Sequence, residues 1–231
     1  MTAIIAHRGL HRDIRENTLE AFEAARAVGA DGVEFDVRRT AKGELVVHHD
    51  PRVGSLVIAE HAASELPTYV PSLATALVAT AGLVVNVEVK NLQERAEPTY
   101  DQSGDFARSV IASVAASPSR DEVIYSSFDL ATCVVLVESS RPVGWLLDAT
   151  DDPRTSLERA AQAGLAGVNP YVGLVDADFV ARARAFGLVV NVWTVNAPAD
   201  LATMFDLGVD VVITDDPETA IAVRDGDKPV L

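Results

Sequence analysis

The sequence has a single cysteine, and this scarcity limits what can hold the fold together. Cys133 has no partner in the chain and cannot form an internal disulfide. Long hydrophobic runs are also missing, since candidates such as residues 82–89 are only the size of a β-strand. The first residues lack the charged and apolar regions of a secretory signal. We therefore expect a cytoplasmic protein with no stable membrane association.

Positive charge is scarce as well. The chain has 19 Lys and Arg residues against 34 Asp and Glu residues, which gives a formal net charge of -15. Such a surface repels phosphate backbones and anionic lipid heads, so we expect no nucleic-acid partner. If the substrate is an anion, a local group of basic residues or a bound cation must reverse this field where the chemistry happens.

The succession of helical and extended segments is typical of an α/β protein. Ala-rich helical stretches end at a glycine and are followed by β-branched runs that are apolar on both faces, as parallel strands covered by helices are. This pattern favours a single (β/α)₈ barrel domain over residues 1–231, although an open doubly wound sheet has the same local pattern. Proline-rich residues 51–71 predict a short insertion after the second βα region. The predicted strands lie near residues 3–6, 32–37, 83–89, 122–127, 142–147, 167–169, 188–194 and 209–214.

Acidic side chains interrupt two of these apolar strands. Glu34 and Asp36 are two residues apart and share one face of the second strand. Glu88 is an acidic residue in the otherwise apolar third strand. If these strands are neighbours, the three carboxylates converge, and a divalent cation would neutralise them. Three hard oxygen donors suit Mg²⁺ or Ca²⁺ better than Zn²⁺. The alternative is a salt-bridge network at the rim with Lys90 and Arg8.

Histidines end two of the predicted strands and are candidates for proton transfer near neutral pH. His7 precedes Arg8 and Gly9, so the backbone can turn sharply there and the arginine can reach phosphate oxygens. His48 and His49 compete for a second role, because alternation along a strand places only one of them on the inner face. His11 and His61 are interpreted as structural.

Two further features have both structural and functional interpretations. Trp193 shares a face with Asn191 near the end of the seventh strand, where its indole could form an apolar wall for a small substrate or could simply pack in the core. Asp215 and Asp216 stand between the last strand and a helix that starts at Pro217, which is typical of helix capping. We therefore leave both aspartates out of the predicted site.

Taken together, these motifs resemble the glycerophosphodiester phosphodiesterase family, whose members have a TIM-barrel fold. The resemblance covers nearly the whole chain, and it depends on the order and spacing of the motifs more than on any one of them. The motifs are Ala-His-Arg-Gly at 6–9, Glu-Asn-Thr at 16–18, Glu-Phe-Asp-Val at 34–37, His-Asp at 49–50, Glu-Val-Lys at 88–90 and Thr-Asp-Asp-Pro at 214–217.

This resemblance implies a chemistry for the strand-end residues. Glu34, Asp36 and Glu88 would hold a divalent metal, Mg²⁺ or Ca²⁺. His7 and His49 would be the acid and base pair, because the family's second histidine is the one directly before an aspartate.

The resemblance also implies how the substrate is held. Arg8 and Lys90 would bind the phosphate, and Trp193 would line the glycerol side. Residues 51–64 depart from the family, which commonly has a basic residue and threonines shortly after His-Asp, whereas this stretch is short and largely apolar. The departure concerns the alcohol preference and not the class of reaction.

The implied activity is metal-dependent hydrolysis of a glycerophosphodiester to glycerol 3-phosphate and an alcohol. One alternative is a barrel phospholipase that acts on lipid phosphodiesters, and the acidic composition argues against it. Another is a catalytically silent barrel that binds phosphorylated ligands. The presence of both histidines and all three carboxylates argues against that second alternative.

Overall fold

Strands and helices alternate along the residues that the computed structural model describes, which are 1–92 and 100–226. The strands are β1 (Ala3–His7), β2 (Gly32–Arg39), β3 (Leu45–Val47), β4 (Arg52–Val53), β5 (Leu56–Val57), β6 (Val84–Val89), β7 (Val123–Ser127), β8 (Val143–Leu147), β9 (Gly167–Pro170), β10 (Val189–Val192) and β11 (Val211–Thr214). The helices are α1 (Leu19–Ala27), α2 (Leu73–Ala79), α3 (Asp105–Ala115), α4 (Leu130–Leu136), α5 (Pro153–Gln162), α6 (Ala177–Ala185), α7 (Pro198–Leu207) and α8 (Pro217–Asp225).

The parallel strands close into a barrel. Across the described ranges, eight parallel strands follow the order β1, β2, β6, β7, β8, β9, β10 and β11, and β1 pairs with both β2 and β11. An open doubly wound sheet would leave two unpaired edges, so this closure confirms the (β/α)₈ TIM barrel. The short strand β3 runs antiparallel to the outer end of β2.

The helices begin and end where simple rules place them. Helix α1 is capped by Thr18, whose hydroxyl accepts a hydrogen bond from the Ala21 amide at 3.3 Å. The predicted capping role of Asp216 at α8 is confirmed by a 3.1 Å bond from the Thr219 amide. None of the described helices is long and apolar enough to cross a membrane.

The predicted insertion lies between β2 and α2. Residues 51–71 contain a two-stranded hairpin of β4 and β5 and two short 3₁₀ turns at Ile58–Glu60 and Ala63–Glu65, and β3 precedes them. The insertion shares an apolar cluster with β3, which consists of Val46, Val53, Ile58 and Leu66. The insertion is therefore a packed element beside the carboxyl ends of the barrel strands.

Candidate active site

Three carboxylates converge inside the mouth of the barrel. The parallel register pairs Asp36 on β2 with Glu88 on β6, and it pairs Glu34 with Asn86 one step deeper. One oxygen from each of Glu34, Asp36 and Glu88 lies within 4.8 Å of the others, and all three side chains are buried. The convergence predicted from the spacing is confirmed, because the two strands are direct neighbours.

Two basic side chains offset part of this negative charge. The Lys90 ammonium lies 2.9 Å from Asp36 Oδ1 and 2.6 Å from Glu88 Oε1, and Arg8 Nε lies 3.5 Å from Asp36 Oδ2. The salt bridges of the alternative interpretation are therefore present, but two cations cannot neutralise three carboxylates. One negative charge remains in a buried cluster, which is costly without a further positive charge or a proton.

The carboxylate without a lysine or arginine side-chain partner in the cluster is Glu34. Its Oε2 accepts a hydrogen bond from the Arg8 amide at 3.0 Å, whereas its buried Oε1 has no hydrogen-bond partner among the described residues. Burial, together with the charges of Asp36 and Glu88, raises the pKa of Glu34 well above its ordinary value. An unpartnered oxygen in an all-carboxylate donor set fits a hard divalent cation, so the cluster could hold one.

Asp36 is held differently from Glu34. Burial would raise the pKa of Asp36, but the charges of Lys90 and Arg8 outweigh that effect and lower it. The Asn17 amide nitrogen donates to Asp36 Oδ2 at 2.8 Å. Asn17 therefore serves as a buried support for this carboxylate and not as the helix cap.

The loop that supplies these contacts has an unusual backbone. Arg8 and Asn17 adopt left-handed conformations with φ of 55° and 58°, and Gly9 follows with φ of 80°. A side chain at Gly9 would come within 2.7 Å of the Ala21 backbone, so the predicted sharp turn needs glycine there. Residues other than glycine pay a free-energy cost in the left-handed conformation. Residues strained in this way are concentrated at functional sites.

His7 ends β1 beside the acidic cluster. Its Nδ1 lies 2.6 Å from Asp215 Oδ1, and its Nε2 lies 3.9 Å from Glu34 Oε2. The side chain is 17% exposed, so the imidazole is reachable from the cavity while two carboxylates flank it.

His49 follows β3 and approaches the same cavity from the insertion. Its Nδ1 lies 2.8 Å from Asp50 Oδ1, while its backbone carbonyl accepts a 2.8 Å hydrogen bond from Arg38 Nε. Burial and the charge of Lys90 lower its pKa, which favours the neutral imidazole. His48 instead contacts the Asp50 carbonyl at 3.0 Å.

A cavity of about 250 Å³ joins these groups. One side is polar and the other is an apolar wall of Phe128, Leu146 and Trp193. The indole of Trp193 donates to the Asn169 carbonyl at 2.7 Å and packs edge-on to Phe128, with ring centres 5.4 Å apart. The polar side consists of His7, Arg8, Glu34, His49, Asn86, Glu88 and Lys90.

Comparison with known proteins agrees with this geometry. Residues 7–219 match the Glycerophosphoryl diester phosphodiesterase family. The chain belongs to this family. The uncharacterized protein YqiK of Bacillus subtilis is 31% identical to it over 96% of this chain and 98% of YqiK. A glycerophosphodiester phosphodiesterase of Caldanaerobacter subterraneus is 28% identical over 97% of this chain and 99% of that protein.

Solved structures of the glycerophosphodiester phosphodiesterase family share the barrel. The crystal structure of a glycerophosphodiester phosphodiesterase from Parabacteroides distasonis superimposes with a TM-score of 0.86. It is 26% identical and covers 97% of each chain. A second such structure, from Thermotoga maritima, gives a TM-score of 0.80 at 26% identity, with 97% of this chain and 99% of that chain covered. The fold expected from the resemblance is thereby confirmed.

Some residues of this phosphodiesterase site lay outside the predicted set. The position of Asp215 before a helix indicates a capping role, but the structure places its carboxylate against His7. Glu16, whose two oxygens each lie 3.0 Å from Arg8 Nη1, was also outside it. Both residues belong to motifs on which the family resemblance rests, Glu-Asn-Thr and Thr-Asp-Asp-Pro, and that membership was the only signal for them.

Proposed function

We propose that this phosphoric diester hydrolase cleaves glycerophosphodiesters to glycerol 3-phosphate and an alcohol, with a divalent cation and a pair of histidines. One observation carries the proposal. Three buried carboxylates with one unbalanced charge lie beside two imidazoles on a single cavity. The family match supports the substrate class, and the relative from Caldanaerobacter subterraneus is named for the same activity.

Glu34, Asp36 and Glu88 are the residues that would hold the cation. A bound Mg²⁺ or Ca²⁺ would act as a Lewis acid toward the phosphoryl oxygens. The chain has a net charge of -15, and Arg8 and Lys90 are already paired with the carboxylates, so a bound cation would be needed together with these two side chains to attract and hold a phosphodiester.

The two histidines divide the proton transfers in this proposal. His49 is the base, because its lowered pKa keeps the imidazole in the form that accepts a proton at neutral pH. It takes a proton from the attacking oxygen as the new bond to phosphorus forms. His7 is the acid and gives a proton to the departing alkoxide as the old phosphorus–oxygen bond breaks. Trp193 and its apolar neighbours form the wall against the glycerol carbons.

A direct assay tests this proposal. Purified protein is incubated with glycerophosphocholine and Mg²⁺ or Ca²⁺, and glycerol 3-phosphate is measured enzymatically. We expect turnover that is lost in excess chelator and restored by the cation. Full activity in chelator would contradict the cation's role. Cleavage of phosphatidylcholine vesicles, with glycerophosphocholine left intact, would contradict the substrate class.

A further inference from the structure

His7 is held by a carboxylate from the other end of the chain. The Nδ1 atom of His7 lies 2.6 Å from Asp215 Oδ1, although the two residues are 208 positions apart. Closure of the barrel brings them together, because β1 pairs in parallel with β11 and Asp215 directly follows β11. The contact is therefore fixed by two adjoining strand ends and not by a flexible loop.

The Asp215 carboxylate is itself anchored. Its Oδ2 accepts a 2.6 Å hydrogen bond from the Asn196 side-chain amide, and its own backbone amide donates to Asn196 Oδ1 at 2.9 Å. The Thr214 hydroxyl also donates to Asn196 Oδ1, at 3.1 Å. Asn196 thus contacts Asp215 at both the side chain and the backbone, which prevents the carboxylate from rotating away from His7.

The carboxylate can only accept a hydrogen bond from the imidazole. Burial would raise the pKa of Asp215, but the hydrogen bond and charge of His7 and the hydrogen bond of Asn196 lower it to about 2. An ionised carboxylate has no proton to donate, so the proton in the 2.6 Å contact belongs to His7 Nδ1. The Nε2 atom is then the one available for proton exchange, and it is the ring nitrogen near Glu34.

We propose that Asp215 is a positioning residue that keeps the proton of His7 on Nδ1 and directs Nε2 toward the reacting groups, with Asn196 as its support. The catalytic consequence rests on the proposed function, whereas the tautomer does not. Nearby His11 does not compete for this role, because its Nε2 lies 3.7 Å from Asp215 Oδ1 and its Nδ1 contacts the Gly9 carbonyl at 3.1 Å.

Asp215→Asn is the sharpest test, because it changes hydrogen-bonding character at nearly constant size. Asn196 presents an amide donor to position 215, so the new side chain is expected to turn its oxygen toward Asn196 and its NH₂ toward His7. His7 Nδ1 must then accept, which moves the proton to Nε2. Asp216→Asn is the matched control, since Asp216 is the next residue and caps α8. Among the described contacts it has no hydrogen bond to His7 or His11.

Nitrogen-15 NMR of the full-length chain in Mg²⁺ buffer gives the readout. The chain has five histidines, so the ring signals can be assigned with a His7→Gln variant. Spectra are recorded at pH about 8.5, well above the ordinary histidine pKa of about 6.5. We expect the Nδ1–H tautomer of His7 in the wild type and in Asp216→Asn, and the Nε2–H tautomer in Asp215→Asn. An unchanged His7 tautomer in folded Asp215→Asn would overturn the inference.

Kinetics supply a second readout. Asp215→Asn is expected to lower kcat by about a hundredfold or more with KM for glycerophosphocholine nearly unchanged, as when the orienting carboxylate of a histidine is neutralised. Asn196→Ala, which keeps Asp215 but removes its anchor, should give a smaller loss of kcat. Wild-type rates in Asp215→Asn would overturn the positioning role. If the wild type cleaves no glycerophosphodiester, the proposed function fails, while the tautomers still decide the inference.

Discussion

Each of the two cavity histidines has an aspartate at Nδ1, yet the two pairs are built differently. In the His7 pair the partner comes from the opposite end of the chain, lies at 2.6 Å and is anchored by Asn196. In the His49 pair the partner is the adjacent residue Asp50, at 2.8 Å. The Asp215 side chain is 38% exposed and the Asp50 side chain 70% exposed.

This difference separates two ways of orienting an imidazole. His7 is held by hydrogen bonds among strand ends of the closed barrel. Once the barrel has formed, these hydrogen bonds require little further loss of conformational entropy. Asp50 is largely exposed, so its contact with His49 competes with solvent and adds little energy. The position of His49 depends more on its backbone, whose carbonyl is bound by Arg38. The side-chain pair should therefore matter at His7 more than at His49.

Removal of either imidazole should give the largest effect. Because His7 and His49 carry the two proton transfers in the proposed mechanism, His7→Ala and His49→Ala should each lower turnover about a hundredfold or more. Metal affinity should remain nearly intact, because neither histidine belongs to the acidic cluster. The measurement is kcat on glycerophosphocholine together with calorimetric metal binding. Unchanged rates in either variant would remove that histidine from the mechanism.

Removal of the exposed aspartate should cost much less. Asp50→Asn is expected to lower kcat less than about tenfold, because an exposed contact between neighbouring residues contributes little. The measurement is the ratio of its kcat to that of Asp215→Asn, determined in parallel. Equal losses in the two variants would show that the two pairs are equivalent and would contradict the comparison.

The ascending limb of the pH profile should show the smallest change, and it reports on the base, His49. Burial and the charge of Lys90 lower the pKa of His49, and a base must be neutral to act, so activity should rise with pH at a midpoint below about 6.5. Lys90→Met removes one cause of the lowering, so the midpoint of kcat/KM should move to higher pH.

Lys90→Arg is the control for that shift, because it keeps the positive charge and should leave the midpoint nearly unchanged. The measurement is the pH profile of kcat/KM at saturating metal. A midpoint that moves to lower pH in Lys90→Met would contradict the assignment of His49 as the base.

The barrel was predictable from local sequence because its signals are local. Apolar β-branched runs, glycines after helices and a proline-rich break each depend on a few neighbouring residues, and the structure confirms the barrel strands they predicted. The hairpin inside the insertion was not predictable, because strands of two residues such as Arg52–Val53 are too short to show alternation.

The site was predictable where its geometry follows from strand spacing. Glu34 and Asp36 share a face by alternation, and Glu88 joins them once β2 and β6 are neighbours. Asp215 was not predictable in this way, because its contact with His7 exists only after the first and last barrel strands pair. Alternation also could not decide whether His48 or His49 has the second role, since it gives the period of a strand and not which of its faces is inside.

The acidic cluster is the central claim, and calorimetric titration of Mg²⁺ or Ca²⁺ into the metal-free chain tests it most directly. We predict one bound ion for the wild type and affinity reduced about tenfold or more in Glu34→Gln, because the unpartnered oxygen of Glu34 becomes part of a neutral amide. Glu16→Gln is the control and should bind normally, because Glu16 pairs with Arg8 and lies outside the cluster. Absence of binding in the wild type, or equal binding in Glu34→Gln, would contradict the account.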